Sequence, residues 1–217
     1  MPKHKPIKFE STLETTTTKE VLRIIKENKT AKTTLNATLA LIAVGGVLTL
    51  GAAMPGAFSI FSNAAKNHKK RQYEEYQTIW QNFYKLKKRD DIKFTKEKDG
   101  YLIYRLTKKG KKKIKKLLLN EMKLQKPKKW DGKWRLVIFD IPETQKNTRD
   151  ALRRKLEQLD FYQCQKSTWI HPFACLEEIE FLKNFFSIKP FVKLFLVEEM
   201  TDGKVLYHFK DLLKESI

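Results

Sequence analysis

Apolar positions recur along this chain with two different periods, and the C-terminal part carries both in a recognisable order. Between 134 and 140 the run Leu136, Val137, Ile138, Phe139 is continuous, as expected of a strand buried on both faces. Asp140, Ile141 and Pro142 end it, because proline cannot donate to a ladder and the acid is left at the strand mouth. Over 145–159, Ala151, Leu152, Leu156 and Leu159 share one helical stripe, with Arg149, Arg153 and Arg154 at or beyond its edge. Residues 161–164 and 167–172 then predict two short strands around a turn, and 176–186 a second amphipathic helix. A last strand follows at 191–197, where Phe191, Lys193 and Phe195 alternate with Val192, Leu194 and Leu196. The predicted order is βαββαβ, the ferredoxin-like arrangement.

The N-terminal part reads differently. Residues 1–34 predict a basic tail, loose over 1–18, and a short helix at 19–28 through Val21, Leu22, Ile24 and Ile25; no secretory signal is expected, since no apolar run follows the first residues. Residues 33–65 contain no charged side chain, and LALIAVGGVLTLGAAMPGAFSIF at 39–61 is long and apolar enough to span a bilayer. Two features oppose a simple span. Pro55 and Gly56 divide the run as a turn between two buried helices would. The flanks are basic on both sides (Lys26, Lys29, Lys32; Lys66, Lys69, Lys70, Arg71), so no orientation is encoded. Both readings stay open. Residues 73–86 place Tyr76, Ile79, Trp80, Phe83 and Leu86 at helical spacing, and strands at 92–95 and 101–106 flank a turn at 96–100. Helices followed by a hairpin form the winged-helix order, so 35–107 predicts a winged-helix-like domain. Residues 108–129 predict a basic linker helix with Ile114, Leu117, Leu118 and Met122 on one face; it is a solvated spacer, a phosphate-contacting arm, or both.

Charge sharpens this division. The formal net charge is +20, but residues 66–129 hold 23 Lys+Arg against 7 Asp+Glu, while 130–217 hold 14 of each. A positive field concentrated in one segment attracts polyanions, which makes nucleic acid the leading partner, taken as double-stranded DNA on the winged-helix order, and an anionic membrane the second. The solvated-lysine alternative explains the total better than the confinement. Cys164 and Cys175 have no CxxC spacing, and His4, His68, His171 and His208 are scattered. No zinc site, catalytic triad or phosphate-cradling glycine loop is readable, and two reduced thiols suit a cytoplasmic protein.

Three stretches, WDGKWRLVIFDIPE at 130–143, TRDALRRKLEQLDF at 148–161 and QCQKSTWIHP at 163–172, resemble the central domain of the PaaX family of transcriptional regulators. That domain is itself similar to the CRISPR adaptation endonuclease Cas-two. The resemblance covers roughly the last two-fifths of the chain, 130–217. PaaX regulators carry a further C-terminal domain, so effector sensing is not carried over to this sequence. YLIYRLTKKGKKKI at 101–114 also resembles the wing strand and Leu-Thr-x-x-Gly ending of winged-helix regulators. The resemblance implies an α+β protein with an N-terminal winged-helix-like half and a C-terminal ferredoxin-like half that forms a homodimer, acting in transcription regulation.

On that reading the helix at 71–88 enters the major groove and the 96–100 turn touches the backbone or minor groove. Lys69, Lys70, Arg71, Lys85, Lys87, Lys88, Arg89, Lys96 and Lys98 are the phosphate contacts, and Gln72, Gln77, Gln81 and Asn82 the base readers. Asp140 matches the acid with which Cas-two enzymes hold a divalent metal across a dimer, so a Mg²⁺-dependent nuclease or DNA-integration partner is the enzymatic alternative; otherwise no cofactor is expected. The competing account of Asp140 is a turn and helix-capping acid. Trp130, Trp134 and Trp169 are expected as core or interdomain anchors, and most of Arg135, Arg149, Arg153 and Arg154 as partners of acids such as Asp150 and Glu157. The remaining alternative is a membrane-tethered nucleic-acid binder, single-pass or peripheral, anchored by 39–61 with a cytoplasmic C-terminal domain.

Overall fold

In the computed structural model, which describes residues 7–10, 35–44, 47–48 and 68–214, the chain divides into two units, Met1–Glu121 and Met122–Ile217. Both units mix helix and sheet, and the protein is α+β.

The first unit is built on a four-stranded sheet in the order β2-β1-β4-β3. Strand β1, Ile7–Phe9, lies between β2 (Val47–Leu48) and β4 (Tyr101–Leu106), parallel to the latter, with Ile7 opposite both Leu48 and Leu102. The tail expected to be loose over 1–18 therefore contributes an inner strand. Three residues alternating Ile-Lys-Phe are too short to declare a period, and their partners lie far along the chain. Helix α1, Leu35–Val44, buries Thr38, Leu39, Ile42 and Ala43 on one side. It ends at Val44, ahead of Gly45 and Gly46, residues that weaken a helix.

This overturns the continuous 39–61 span. The segment begins in α1 and passes into a strand hydrogen-bonded to β1. Among the described residues no helix is long and apolar enough to cross a membrane. The turn expected at Pro55 and Gly56, and the short helix at 19–28, lie outside the described residues.

Helix α2, His68–Lys88, turns Trp80, Phe83 and Leu86 inward, as the spacing requires. It is followed by β3, Ile92–Lys98, and β4, joined by Asp99 and Gly100 with φ of 51° and 76°. Positive φ at both central residues is the geometry of the two-residue turns that match strand twist, and Asp-Gly is a favoured pair for it. The turn is thus narrower than 96–100, and Lys96 and Lys98 stand on β3 itself. Helix α3, Lys108–Glu121, buries Gly110, Ile114 and Leu118 and belongs to this unit. The Leu-Thr-x-x-Gly ending has a steric and a hydrogen-bonding cause. Thr107 caps α3 by accepting the Gly110 N–H at 3.1 Å, while its own hydroxyl donates to the Asp90 carbonyl at 2.6 Å. A Cβ at Gly110 would overlap the Asp91 carbonyl oxygen.

The second unit has the sheet order β6-β7-β5-β8, antiparallel throughout: β5 Trp134–Phe139, β6 Tyr162–Gln165, β7 Thr168–His171 and β8 Val192–Val197. With α4 (Lys146–Gln158) after β5 and α5 (Leu176–Phe185) after β7, this is the βαββαβ ferredoxin-like topology. Val137 and Phe139 are buried on one face, where Arg153 of α4 lies 5.9 Å from the Phe139 ring. The other face carries Trp134 and Ile170 and is packed by α6, Gly203–Lys214, through Val205, Phe209 and Leu213. That last helix was not anticipated, although its buried residues recur every four positions. Its cover stops short of Ile138 and Phe195, which stay 37% and 45% exposed, so β5 is not buried along both faces.

The WDGKWR motif is a brace at the start of β5. Trp130 Nε1 donates to the Pro172 carbonyl at 2.8 Å, and Arg135 donates to the same carbonyl at 2.7 Å. Arg135 also pairs with the Asp131 carboxylate, and this hydrogen bond holds the acid at about 2. Gly132 takes a φ of 74° while Lys133 N–H bonds back to Asp131. Trp130 meets Trp134 edge to face at 5.3 Å, and Trp134 lies 5.8 Å from Phe209.

His171 is 2% exposed among Phe161, Phe173 and Phe209, and its Nδ1 accepts the Phe173 N–H at 3.0 Å. Burial lowers it from 6.5 to about 4. The unfolded chain therefore binds the extra proton first, and stability should be lost as pH falls through the window from 6.5 to 4, by about 3 kcal/mol when the window is crossed. Chemical unfolding of wild type and His171→Gln across that window is the check: the wild type should lose more, and parallel curves would refute the assignment.

Candidate nucleic-acid interface

The candidate surface is the outer side of α2 with the β3–β4 hairpin. Because Trp80, Phe83 and Leu86 claim one side of α2, Gln77, Gln81, Tyr84, Lys85 and Lys88 are turned to solvent, and they recur at three- and four-residue intervals along one strip. Lys87 and Arg89 are exposed beside the helix end, where the helix dipole favours cations. Phe83 holds helix and hairpin together, meeting the Tyr104 ring edge-on at 5.1 Å, and Tyr104 in turn meets Phe94 at 5.7 Å. Lys93, Lys96 and Lys98 are exposed along β3, the edge strand of the sheet.

Lys69, Lys70, Arg71 and Gln72 lie within α2, but their side chains are outside the described residues, so only the backbone of that turn is placed. Asn82 is not a base reader. It is 5% exposed, and its amide donates to Thr38 Oγ1 of α1 at 3.1 Å. The helical period puts position 82 beside Phe83 and Leu86, and a buried amide needs a partner. Sequence reasoning passed over Tyr84 and Phe94, which are 48% and 50% exposed within the lysine field. Their signal was available: an aromatic between Gln81 and Lys85, and one between Lys93 and Lys96.

The candidate acid of the second unit behaves otherwise. Asp140 follows β5, its N–H donates to the Phe191 carbonyl at 2.9 Å, and its side chain is exposed. It caps nothing. The short 3₁₀ turn Glu143–Gln145 is preceded by Pro142 and α4 by Gln145, neither with a side-chain cap, so the capping role expected of Asp140 is absent. Glu143, the nearest acid in sequence, is drawn to Arg149 at 2.6 Å, and that hydrogen bond lowers its pKa. Among the described residues no three His, Cys, Asp or Glu side chains converge as metal ligands. One carboxylate is thin provision for a hard cation such as Mg²⁺, so the described residues of a single copy do not bring a ligand set together around Asp140.

Of the other arginines singled out, Arg154 is exposed, while Arg135 and Arg153 are committed to the fold. Arg135 is 7% exposed in the Asp131 brace, and Arg153 pairs with Asp150 at 3.2 Å while bonding the Lys166 carbonyl. Both cysteines are free; burial pushes Cys175 up to about 12 and raises Cys164 as well, so neither is a ready nucleophile at neutral pH.

Residues 127–205 match the family model described as the PaaX protein central Cas2-like domain, a stretch that takes in β5 to β8 and ends at the start of α6. No curated protein matches the chain.

Inward and outward polar residues of α2 should separate cleanly. Asn82→Ala leaves Thr38 Oγ1 without this partner and should cost about 1–2 kcal/mol of stability, whereas Gln81→Ala should be nearly neutral. Thermal denaturation of the two variants decides; equal losses would contradict the assigned orientation of α2.

Proposed function

We propose that this chain is a PaaX-like transcriptional regulator that binds double-stranded DNA through its first unit and forms a homodimer through its second. The observation that carries the reading is the charge concentrated in 66–129, with basic side chains exposed on α2 and β3, in a chain whose PaaX-type stretch is close to neutral. In this reading the first unit works as a winged helix. An α-helix fits the major groove, so Gln77 and Gln81 would meet base edges there, with Lys85, Lys87, Lys88 and Arg89 on flanking phosphates. Lys69, Lys70 and Arg71 belong to the same proposed interface, as do Lys96 and Lys98 along the hairpin. A dimer would present this surface twice, as paired half-sites require.

Affinity for duplex DNA should fall steeply with salt, since neutralised phosphates release counterions. Lys88→Ala and Arg89→Ala should each weaken all sequences alike and lower the salt slope by about 1, whereas Gln81→Ala should relax preference at one position. Fluorescence anisotropy over a salt series tests this, and a slope near zero for the wild type would reject the DNA-binding reading.

One observation favours a second reading. Asp140 is exposed and caps no helix, which is compatible with an acid kept for a Cas-two-like metal-dependent nuclease. A single chain's donor set does not fit Mg²⁺, so that reading needs a second copy to complete the site. Asp140→Ala should change stability by less than about 0.5 kcal/mol, as exposed substitutions do. Cleavage assays with Mg²⁺ or Mn²⁺, run beside light scattering, decide between the two. The regulator reading expects a dimer that cuts nothing; metal-dependent cleavage lost in the variant would favour the nuclease.

A further inference from the structure

Helix α3 holds seven lysines between 108 and 116 and no acid before Glu121. Two of the seven serve the fold: Lys113 pairs with the buried Asp91 at 2.5 Å, and Lys109 donates to the Arg89 carbonyl at 2.8 Å. Lys108, Lys111, Lys112, Lys115 and Lys116 are exposed, with no ion-pair partner among the described residues. Their placement works against the helix in two ways. The first turn has cations and no acid, where the helix dipole favours anions. Lys108 and Lys112, Lys111 and Lys115, and Lys112 and Lys116 are each four residues apart, so like charges face one another. A helix needing only solubility could have interleaved acids on the same face, as surface helices do.

We propose that the outer face of α3 is a docking surface for the phosphate backbone of duplex DNA, and that the bound polyanion relieves a repulsion built into the free helix. The inference rests on the DNA-binding reading and extends it from the groove-facing α2 to a second element. The Lys109 hydrogen bond to the Arg89 carbonyl ties the start of α3 to the basic end of α2, so the two positive elements meet at that corner. From 108 to 116 the helix rises about 12 Å, enough to follow roughly three phosphates of one strand. Helix α3 contributes affinity without sequence preference, since its lysines reach only backbone charge.

The test uses the full chain and the quadruple variant Lys111→Gln, Lys112→Gln, Lys115→Gln, Lys116→Gln, which removes charge while keeping good helix formers. Without DNA its melting temperature should equal or exceed that of the wild type. With duplex DNA the wild type should gain more thermal stability than the variant, and the slope of log affinity against log salt should shrink by about 3 in the variant. Lys189→Gln with Lys193→Gln, exposed lysines of the second unit, should leave that slope unchanged. A wild type that binds duplex steeply with an unchanged slope in the quadruple variant would overturn this surface alone. A wild type that binds no duplex would overturn the DNA-binding reading with it. Binding only to vesicles of equal phosphatidylserine and phosphatidylcholine would reassign the face to a membrane. A lower melting temperature of the unliganded variant would show that the lysines support the helix, contrary to the proposal.

Discussion

The first unit depends on one corner, where the end of α2 meets the start of α3. Asp91 N–H bonds to the Leu86 carbonyl, its own carbonyl accepts the Thr107 N–H, and its carboxylate holds Lys113. Asp90, with a φ of 57°, turns the chain out of the helix, and its carbonyl accepts the Thr107 hydroxyl. Only glycine at 110 lets α3 start this close to the Asp91 backbone. A side chain there would push α3 away from the sheet and detach Ile114 and Leu118 from the core. The two most basic elements of the protein are thus aligned by an acid, a hydroxyl and a missing Cβ.

That corner explains how so much like charge is tolerated. Lysines on the outer faces of α2 and α3 repel one another through water, where screening leaves each pair weak. Burial of Trp80, Phe83, Leu86, Ile103, Tyr104, Ile114 and Leu118 acts over much larger area and needs no counterion. The apolar side of each helix fixes its orientation, and the charged side is then free to be set by a ligand. In the second unit the charges pair instead: Asp131 with Arg135, Glu143 with Arg149, Asp150 with Arg153 and Glu180 with Lys183. These acids are spent on the domain's own surface.

Legibility in the sequence followed the range of the interactions involved. The βαββαβ order was readable because each element carries its own period and turn residues, and α2 with its hairpin was readable for the same reason. Strand β1 was not, since three residues become a strand only through β2 and β4, which come tens of residues later. The charge-free segment misled because apolarity is common to membrane spans and to buried helices; what separates them is where hydrogen bonding changes from helix to sheet. Helix α6 repeats Val205, Phe209 and Leu213, so it was legible and simply unread. Of the candidate site, the outward strip of α2 follows from its inward stripe, while the inward turn of Asn82 required knowing that Thr38 lies opposite.

The most recognisable stretch of this chain and the surface proposed to bind DNA are different places, and there is a physical reason. A brace such as Trp130, Asp131, Gly132 and Arg135 needs a particular ring, carboxylate, φ and guanidinium at fixed spacing, so it leaves a distinctive string. A phosphate-tracking face needs positive charge at helical spacing and little else. Any order of lysines that keeps Gly110, Ile114 and Leu118 inward would serve, which makes such a face look like low-complexity filler. Motif matching therefore finds the architectural brace first. The proposed binding surface emerges only when the buried side of each helix is known and the charges left over are asked what they could be for.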